Sequence, residues 1–435
     1  MAVVAPPIPN KFDIIPVHAS DRAAFKFCRR QWRWSSPMWD NLIPVASVYG
    51  VRENLWFGTG VHYALEKYYH PGVSEHPAVA FAAWFDLQWR GGFITDDEVK
   101  EYADRNPVLT HGTWKVDGLA DILTDPDAEE KFLAYKELGI GMMNYYVEYA
   151  EEHDNFSVIS TEHDFSVPVL DPEGRPLYRL DKRVMPESWE PNYEIGNEFG
   201  PLMRERRVLV DEDGVAYHSV EKQVHVRGRM DVIVQDQESG RYGIRDYKTA
   251  SRVDDDYFRH LEFDEQCTSY LTFGQLEARL HNLEYKQLEY IDYVALLKAF
   301  PRPPTITSRG LPSIDRQKES TTAAMFERFI AENRLTAIFN ADPKLQQYYT
   351  WLLSVEGKRF IVVETTWRNH TQRKNAGIRL YYEAMDMLND PVAYPNPTKN
   401  YSCLNCVFRV PCLACEDGSD YLSILEDGYM PNWDR

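Results

Sequence analysis

The chain has 435 residues, beyond the roughly 250–300 at which a single hydrophobic core stops growing, so two packed units or one heavily elaborated domain are expected. With 44% hydrophobic and 26% charged residues there is enough apolar surface to offset the entropy of ordering, which excludes wholesale disorder, collagen and disulfide miniproteins. A net charge of −19 excludes a surface that binds nucleic acid everywhere, while leaving room for a local basic groove.

No run approaches the ~20 apolar residues needed to cross a bilayer, and Met1 to Asn10 lacks a basic segment followed by an apolar one, so a cytoplasmic location with no membrane contact is expected. Residues 20–34 read as a helix. Residues 58–70 do too, because His62, Leu65, Glu66 and Tyr69 recur at the spacing of one helical face, and helical character continues through 128–152. Between 156 and 250 the period changes to that of strands, with the turn sequences DPEG (171–174), DEDG (211–214) and ESG (238–240) between them. Residues 264–282, 320–340 and 376–390 return to helical patterning, 290–300 and 359–367 read as later strands, and 401–418 as a cysteine-bearing loop.

Within VRGRMDVIVQDQESGRYGIRDYKTA (226–250) two strands flank a turn, and a period of two places Asp246 and Lys248 on one face of the second strand, with Asp231 beside them on the first. Both acidic positions interrupt apolar strands, where an unpaired carboxylate is costly. Converging carboxylates make an oxygen-rich site for Mg²⁺ or Mn²⁺, and a neighbouring lysine can orient water for hydrolysis. An Asp-x-Lys triplet alone is weak, since one is expected about once by chance in a chain this long. His62 and Glu66 lie four apart on a helix face, so an imidazole can reach a metal while the carboxylate orients it. Gln266 and Tyr270 form a polar pair on another helix face, suited to phosphate contacts.

Of six cysteines, Cys403, Cys406, Cys412 and Cys415 fall within thirteen residues, with two, five and two residues between successive members. That density points to a metal, and two readings stay open: a zinc site using these four, or an iron-sulfur cluster using three of them with Cys28. Cys267, in a helical pattern, reads as a core residue. Two basic groups, Arg204 to Arg207 and Arg29, Arg30 and Arg33, are candidates for the lining of a nucleic-acid channel. No G-x-x-x-x-G-K-[S/T] phosphate loop is present, so the chain is not itself a helicase motor.

Taken in order, Cys28, GTGVHYALE, GRMDVIV, RDYKTA, QCTSY and CLNCVFRVPC resemble the RecB-type branch of the PD-(D/E)XK nuclease superfamily, in particular its iron-sulfur exonucleases, such as the CRISPR-associated adaptation nucleases and their bacteriophage relatives. The resemblance implies an α/β fold: a nuclease core with a mixed central sheet flanked by helices at 156–300, between an N-terminal helical region (1–155) and a C-terminal one (301–435) joined by the cluster. It further implies that His62, Asp231, Asp246 and the backbone carbonyl of Tyr247 bind Mn²⁺ or Mg²⁺. Lys248 positions the attacking water, Glu162 is the acidic residue of the first core strand, and Gln266 and Tyr270 engage DNA. A 4Fe-4S cluster on Cys28, Cys403, Cys406 and Cys412 is implied, with Zn²⁺ on Cys403, Cys406, Cys412 and Cys415 as the alternative.

The expected activity is that of a DNA exonuclease on single strands or duplex ends, in recombination, repair or processing, with room for a recombination or helicase partner and for an oligomer. The alternative is a nuclease-like subunit that binds DNA ends or a recombination partner without cutting.

Overall fold

In the computed structural model, which describes residues 14–36, 38–44, 53–72, 74–93, 115–117, 127–184, 208–210, 216–253, 257–355, 359–389, 394–395 and 401–431, the organising element is a 21-residue strand, Ala216–Asp236. The described strands are β1 (Ile14–His18), β2 (Leu42–Pro44), β3 (Gly91–Phe93), β4 (Lys115–Asp117), β5 (Phe156–Pro168), β6 (Tyr178–Val184), β7 (Val208–Val210), β8 (Ala216–Asp236), β9 (Tyr242–Ala250), β10 (Leu288–Leu297), β11 (Ile361–Trp367) and β12 (Tyr429–Pro431). The main sheet runs β1-β8-β9-β10-β11, with β5, β6 and β7 also paired to β8. β1 with β8 and β9 with β10 are parallel; β8 with β9 and β10 with β11 are antiparallel, which makes the sheet mixed.

Both faces of the sheet are covered by helices, so its strands carry long apolar runs rather than clean alternation. Glu53–Tyr69, Pro77–Arg90 and Ala128–His153 bury Phe57, Leu65, Phe81, Phe85, Phe132 and Met143 against Val232, Val234, Val294 and Leu296. On the other face Phe25, Trp32, Leu271, Phe273 and Leu380 pack on Val226, Met230, Ile244 and Ile291. Each fully buried side chain of this size contributes roughly 1.5–3 kcal/mol, so the two cores hold the strand ends rigidly. Met230 faces one core and Val232 the other, and Asp231 lies between them.

Several elements differ from the sequence reading. The expected helix 20–34 is two, Ala19–Phe27 and Arg29–Ser35, because Cys28 between them is extended (φ −155°, ψ 110°) and its Sγ accepts from the Gln31 backbone N–H as a cap. Residues 320–340 divide into Ala323–Glu332 and Thr336–Ala341, which join Pro343–Val355 around a small core of Phe326, Ile330, Leu345, Tyr348 and Leu352. The expected cysteine loop is partly helical, since Arg409–Asp417 carries Cys412 and Cys415 on its apolar run. Of the turn sequences, DEDG (211–214) lies outside the described residues.

The two ends of the described chain meet through the polypeptide itself. Trp34 packs on Phe408 at 5.5 Å between centroids, Phe408 stacks on Tyr429 at 5.0 Å, and β12 pairs with β2. Among the described residues no helix is long and apolar enough to cross a membrane.

Candidate active site

β5 occupies one edge of β8 from His225 to Asp236, so β1 and β9 must share the other edge. β1 pairs as far as Arg227 and β9 begins at Val232, which leaves an opening in the ladder at residues 228–231. Asp231 sits at the end of that opening. Its Oδ2 accepts the backbone N–H of Tyr247 at 2.8 Å, in place of a strand acceptor. In a strand the N–H and C=O of one residue point to the same edge, so the Tyr247 carbonyl is directed to the Asp231 side as well.

Three ligand-bearing side chains converge there: one donor atom each from His62, Glu162 and Asp231 lie within 4.8 Å of one another. His62 projects from Glu53–Tyr69, whose Phe57, Val61 and Leu65 anchor the helix in the core, and its Nδ1 is 3.4 Å from Asp231 Oδ2. Thr161 pairs with Val232 and His163 with Met230, so register puts Glu162 opposite Asp231. Glu162 has φ +46°, a left-handed conformation that a glutamate adopts only when its surroundings hold it there, and such strain concentrates at functional sites.

Asp246 and Lys248 lie on β9 as the period-two reading expects, with Lys248 Nζ 2.6 Å from Asp246 Oδ2. Asp246 is 1% exposed, and its Oδ1 has no hydrogen-bond partner. Burial pushes its pKa up to about 6; Lys248 pulls it back and the Asp231 charge adds to the rise. Burial acts to lower the Lys248 pKa, but the carboxylates of Asp246 and Asp231 outweigh it and hold the amine above its ordinary value. Both carboxylates thus favour the ammonium form of Lys248.

Gln266 Nε2 donates to Tyr270 Oη at 2.7 Å. Tyr270 begins a π turn, Tyr270–Gly274, inserted between the helices Glu265–Ser269 and Gln275–Leu280, in place of the continuous helix expected. Its phenol pKa is raised by burial first and then by the charges of Asp246, Asp231 and Glu162, which places the hydroxyl toward the acidic group. Cys267 is buried in the core as expected.

Arg229 was missed in the sequence. Nε and Nη2 form a fork on Asp164 at 2.7 and 3.0 Å, and Nη1 is 3.6 Å from Glu162 Oε2. A charged residue two positions before Asp231 in the otherwise apolar GRMDVIV was the available signal. Arg229's hydrogen bonds to Asp164 raise its pKa first, and the charges of Asp164, Glu162 and Glu66, the residue expected to orient His62, raise it further against burial.

The cysteines lie at the junction of the two chain ends. Burial raises the Cys406 thiol pKa, the Phe408 backbone N–H pulls it back, and the charges of Cys28, Cys412 and Cys403 raise it further, so each of these three lies near Cys406. Arg30 Nη1 donates to Cys412 Sγ at 3.3 Å and meets Glu416 at 2.8 Å. Arg29 lies 3.2 Å over the Phe25 ring and Arg33 3.6 Å over Trp39. The second basic group thus takes part in joining and packing these helices, and Arg204 to Arg207 lie outside the described residues.

The donor set of the acidic site fits a hard divalent cation: two carboxylates and one imidazole within 4.8 Å of one another, with Asp246, whose buried Oδ1 has no hydrogen-bond partner, outside that group. No curated protein matches the chain. The sequence profile of the PD-(D/E)XK nuclease superfamily matches residues 19–412, covering the opened ladder, the acidic group, Lys248 and the cysteine segment as far as Cys412, and the chain belongs to that superfamily.

Proposed function

We propose that the chain is a DNA exonuclease acting on single strands or duplex ends, in recombination, repair or DNA processing. The superfamily is one of metal-dependent nucleases, and the coarse activity follows from membership. The observation that carries the site assignment is Asp246, a buried carboxylate beside Asp231 whose Oδ1 has no hydrogen-bond partner and whose Oδ2 meets only the Lys248 ammonium. Such a group is costly in the fold and is expected where a cation is meant to bind.

His62, Asp231, Asp246 and the Tyr247 carbonyl hold Mn²⁺ or Mg²⁺, with Glu162 adding a further carboxylate. When bound, the cation supplies positive charge that acidifies water and offsets the charge developing on the phosphate. Asp231, fixed by the Tyr247 N–H, cannot rotate away from the opening. Lys248, held charged, donates a hydrogen bond to the attacking water and fixes its direction. Gln266 donates into the Tyr270 oxygen, so the Tyr270 O–H is left to donate to a phosphate oxygen of the DNA strand.

Cys28, Cys403, Cys406 and Cys412 hold a 4Fe-4S cluster with a structural role. Four sulfurs on one zinc ion sit about 3.8 Å apart, given Zn–S bonds near 2.3 Å. Among the described residues no three of the cysteines bring their sulfurs within 4.8 Å of one another. Linear and circular single-stranded DNA of one sequence, offered with Mn²⁺, test the reading: the linear strand is consumed and the circle survives. Equal loss of both would make the enzyme an endonuclease, and loss of neither would remove the catalytic reading.

A further inference from the structure

Gln266 and Tyr270 stand on a helix broken by a π turn, and a π turn shifts backbone hydrogen bonds out of the α register, so some carbonyls need partners from elsewhere. Two arginines from the junction between β11 and the helix His370–Asn389 supply them. Arg368, 6% exposed, donates from Nε to Thr268 Oγ1 at 2.8 Å and from Nη1 to Thr366 Oγ1 at 2.7 Å and the Trp367 carbonyl at 2.9 Å. Its Nη2 reaches the carbonyls of Leu261 and Asp264. Arg373 donates from Nε to the Arg368 carbonyl at 2.9 Å, and from Nη1 to the Leu271 carbonyl at 2.9 Å and to Gln275 Oε1. Its Nη2 bonds the carbonyls of Leu288 at 2.8 Å and Glu289 at 3.4 Å.

A guanidinium has five N–H donors, and each of these two uses all five. Every acceptor is neutral. Among the described residues no carboxylate forms an ion pair with either arginine, and Arg373 sits in the first turn of its helix, where the dipole disfavours a cation. Burial and the like charges of Arg279 and Arg368 lower its pKa, and Glu289 alone pulls the other way. Charge pairing therefore does not account for either residue; the ten directed bonds do. Arg368 grips the start of the broken helix at Leu261, Asp264 and Thr268, while Arg373 ties its π turn at Leu271 and Gln275 to the first residues of β10. β10 is the neighbour of β9, with Tyr293 paired to Asp246.

We propose that Arg368 and Arg373 are positioning residues that set the distance between the Gln266–Tyr270 pair and the Asp246–Lys248 strand. The proposal rests on the reading of Tyr270 as a DNA-contacting residue. Neither arginine touches substrate; both act through the backbone that carries Tyr270.

The test is a double-mutant cycle on cleavage of single-stranded DNA with Mn²⁺, using Arg373→Lys, which keeps the charge and loses the fork, with Tyr270→Phe. Arg373→Lys raises KM at least fivefold with kcat within about twofold of wild type, and the double variant is no worse than the poorer single variant, because both remove the same contact. Unchanged KM in a folded Arg373→Lys protein, or penalties that multiply, would overturn the proposal. Should Arg373→Lys not fold, Gln275→Leu removes one acceptor of the same guanidinium from a half-buried position and is expected to show the same split. If the wild type does not cut DNA, the nuclease reading fails by itself. The clamp is then read from the ¹⁹F resonance of 3-fluorotyrosine in place of Tyr270, which shifts or broadens in Arg373→Lys if the clamp positions the ring and stays fixed if it does not.

Discussion

Lys248 Nζ lies 2.6 Å from Asp246 Oδ2, two residues away on one face of β9, while Oδ1 of the same buried carboxylate has no hydrogen-bond partner among the described residues. The pair is held close as charges through Oδ2 while Oδ1 of Asp246 stays available. That arrangement stabilises the fold poorly and suits a cation well. Asp246→Ala is expected to lower cleavage by about 10²–10³-fold or more without loss of fold, read as initial rates on end-labelled DNA with circular dichroism as control. A folded variant with wild-type rates would remove Asp246 from the site.

The same carboxylate makes the metal-free protein pH-sensitive. Its pKa is near 6 in the folded state against 3.8 ordinarily, so the folded state binds this proton more tightly than the unfolded one does. The cost to stability is full above about pH 6 and fades as pH falls toward about 4. Asp246→Asn should therefore raise the unfolding free energy of metal-free protein at about pH 7.5 by on the order of 1–3 kcal/mol, with little gain at about pH 4. Denaturant unfolding at both pH values checks this, and a less stable variant at neutral pH contradicts it.

Mn²⁺ binding is expected to depend on His62, Glu162 and Asp231 together. Glu162→Gln and His62→Ala are each expected to weaken it about tenfold or more, whereas Asp164→Asn, which removes the fork to Arg229 outside the ligand group, leaves it within about threefold. Calorimetric titration with Mn²⁺ separates the two classes.

Arg245 is a buried cation behind the site. It donates to Tyr247 Oη at 3.1 Å and faces Asp154 at 3.6 Å and Asp292 at 3.8 Å, while Tyr69, Tyr146 and Tyr247 link their hydroxyls to the same network. Arg245→Met strands two half-buried carboxylates and should cost about 3 kcal/mol of stability. A shift in the denaturant midpoint measures it; a neutral outcome would mean that the network relaxes without its arginine.

At the cysteines, Cys28→Ala should remove iron and brown colour from anaerobically prepared protein, and Cys415→Ala should retain both. The reverse pattern, with zinc bound and Cys28→Ala unaffected, would establish the local zinc site. Because the chain ends also meet through Trp34, Phe408, Tyr429 and the β2–β12 pair, cluster loss is expected to loosen that junction without separating the sheet from its helices.

What the sequence disclosed follows from local periodicity. Asp246 and Lys248 share a face because strands repeat every two residues, and His62 reaches the site because helix faces repeat every three to four. Glu162 was located by resemblance alone, since its meeting with Asp231 depends on the register of strands about seventy residues apart. The π turn at Tyr270 was not legible, because the donors that fix it come from Arg368 and Arg373, about a hundred residues later. The break at Cys28 was hidden for a related reason: its helical neighbours are good helix formers, and the thiol cap that ends the first helix is a tertiary choice. Arg30 read as one of a basic run, and its true partners, Cys412 and Glu416, lie at the other end of the chain.

The most direct test of the central claim is digestion of 5′- and 3′-labelled single-stranded and duplex DNA by anaerobically purified protein with Mn²⁺, beside Lys248→Ala. The account predicts progressive loss of label from an end by the wild type alone, with the variant at least about 10²-fold slower. DNA that is bound but left intact by both proteins would contradict it and make the chain a nuclease-like binding subunit.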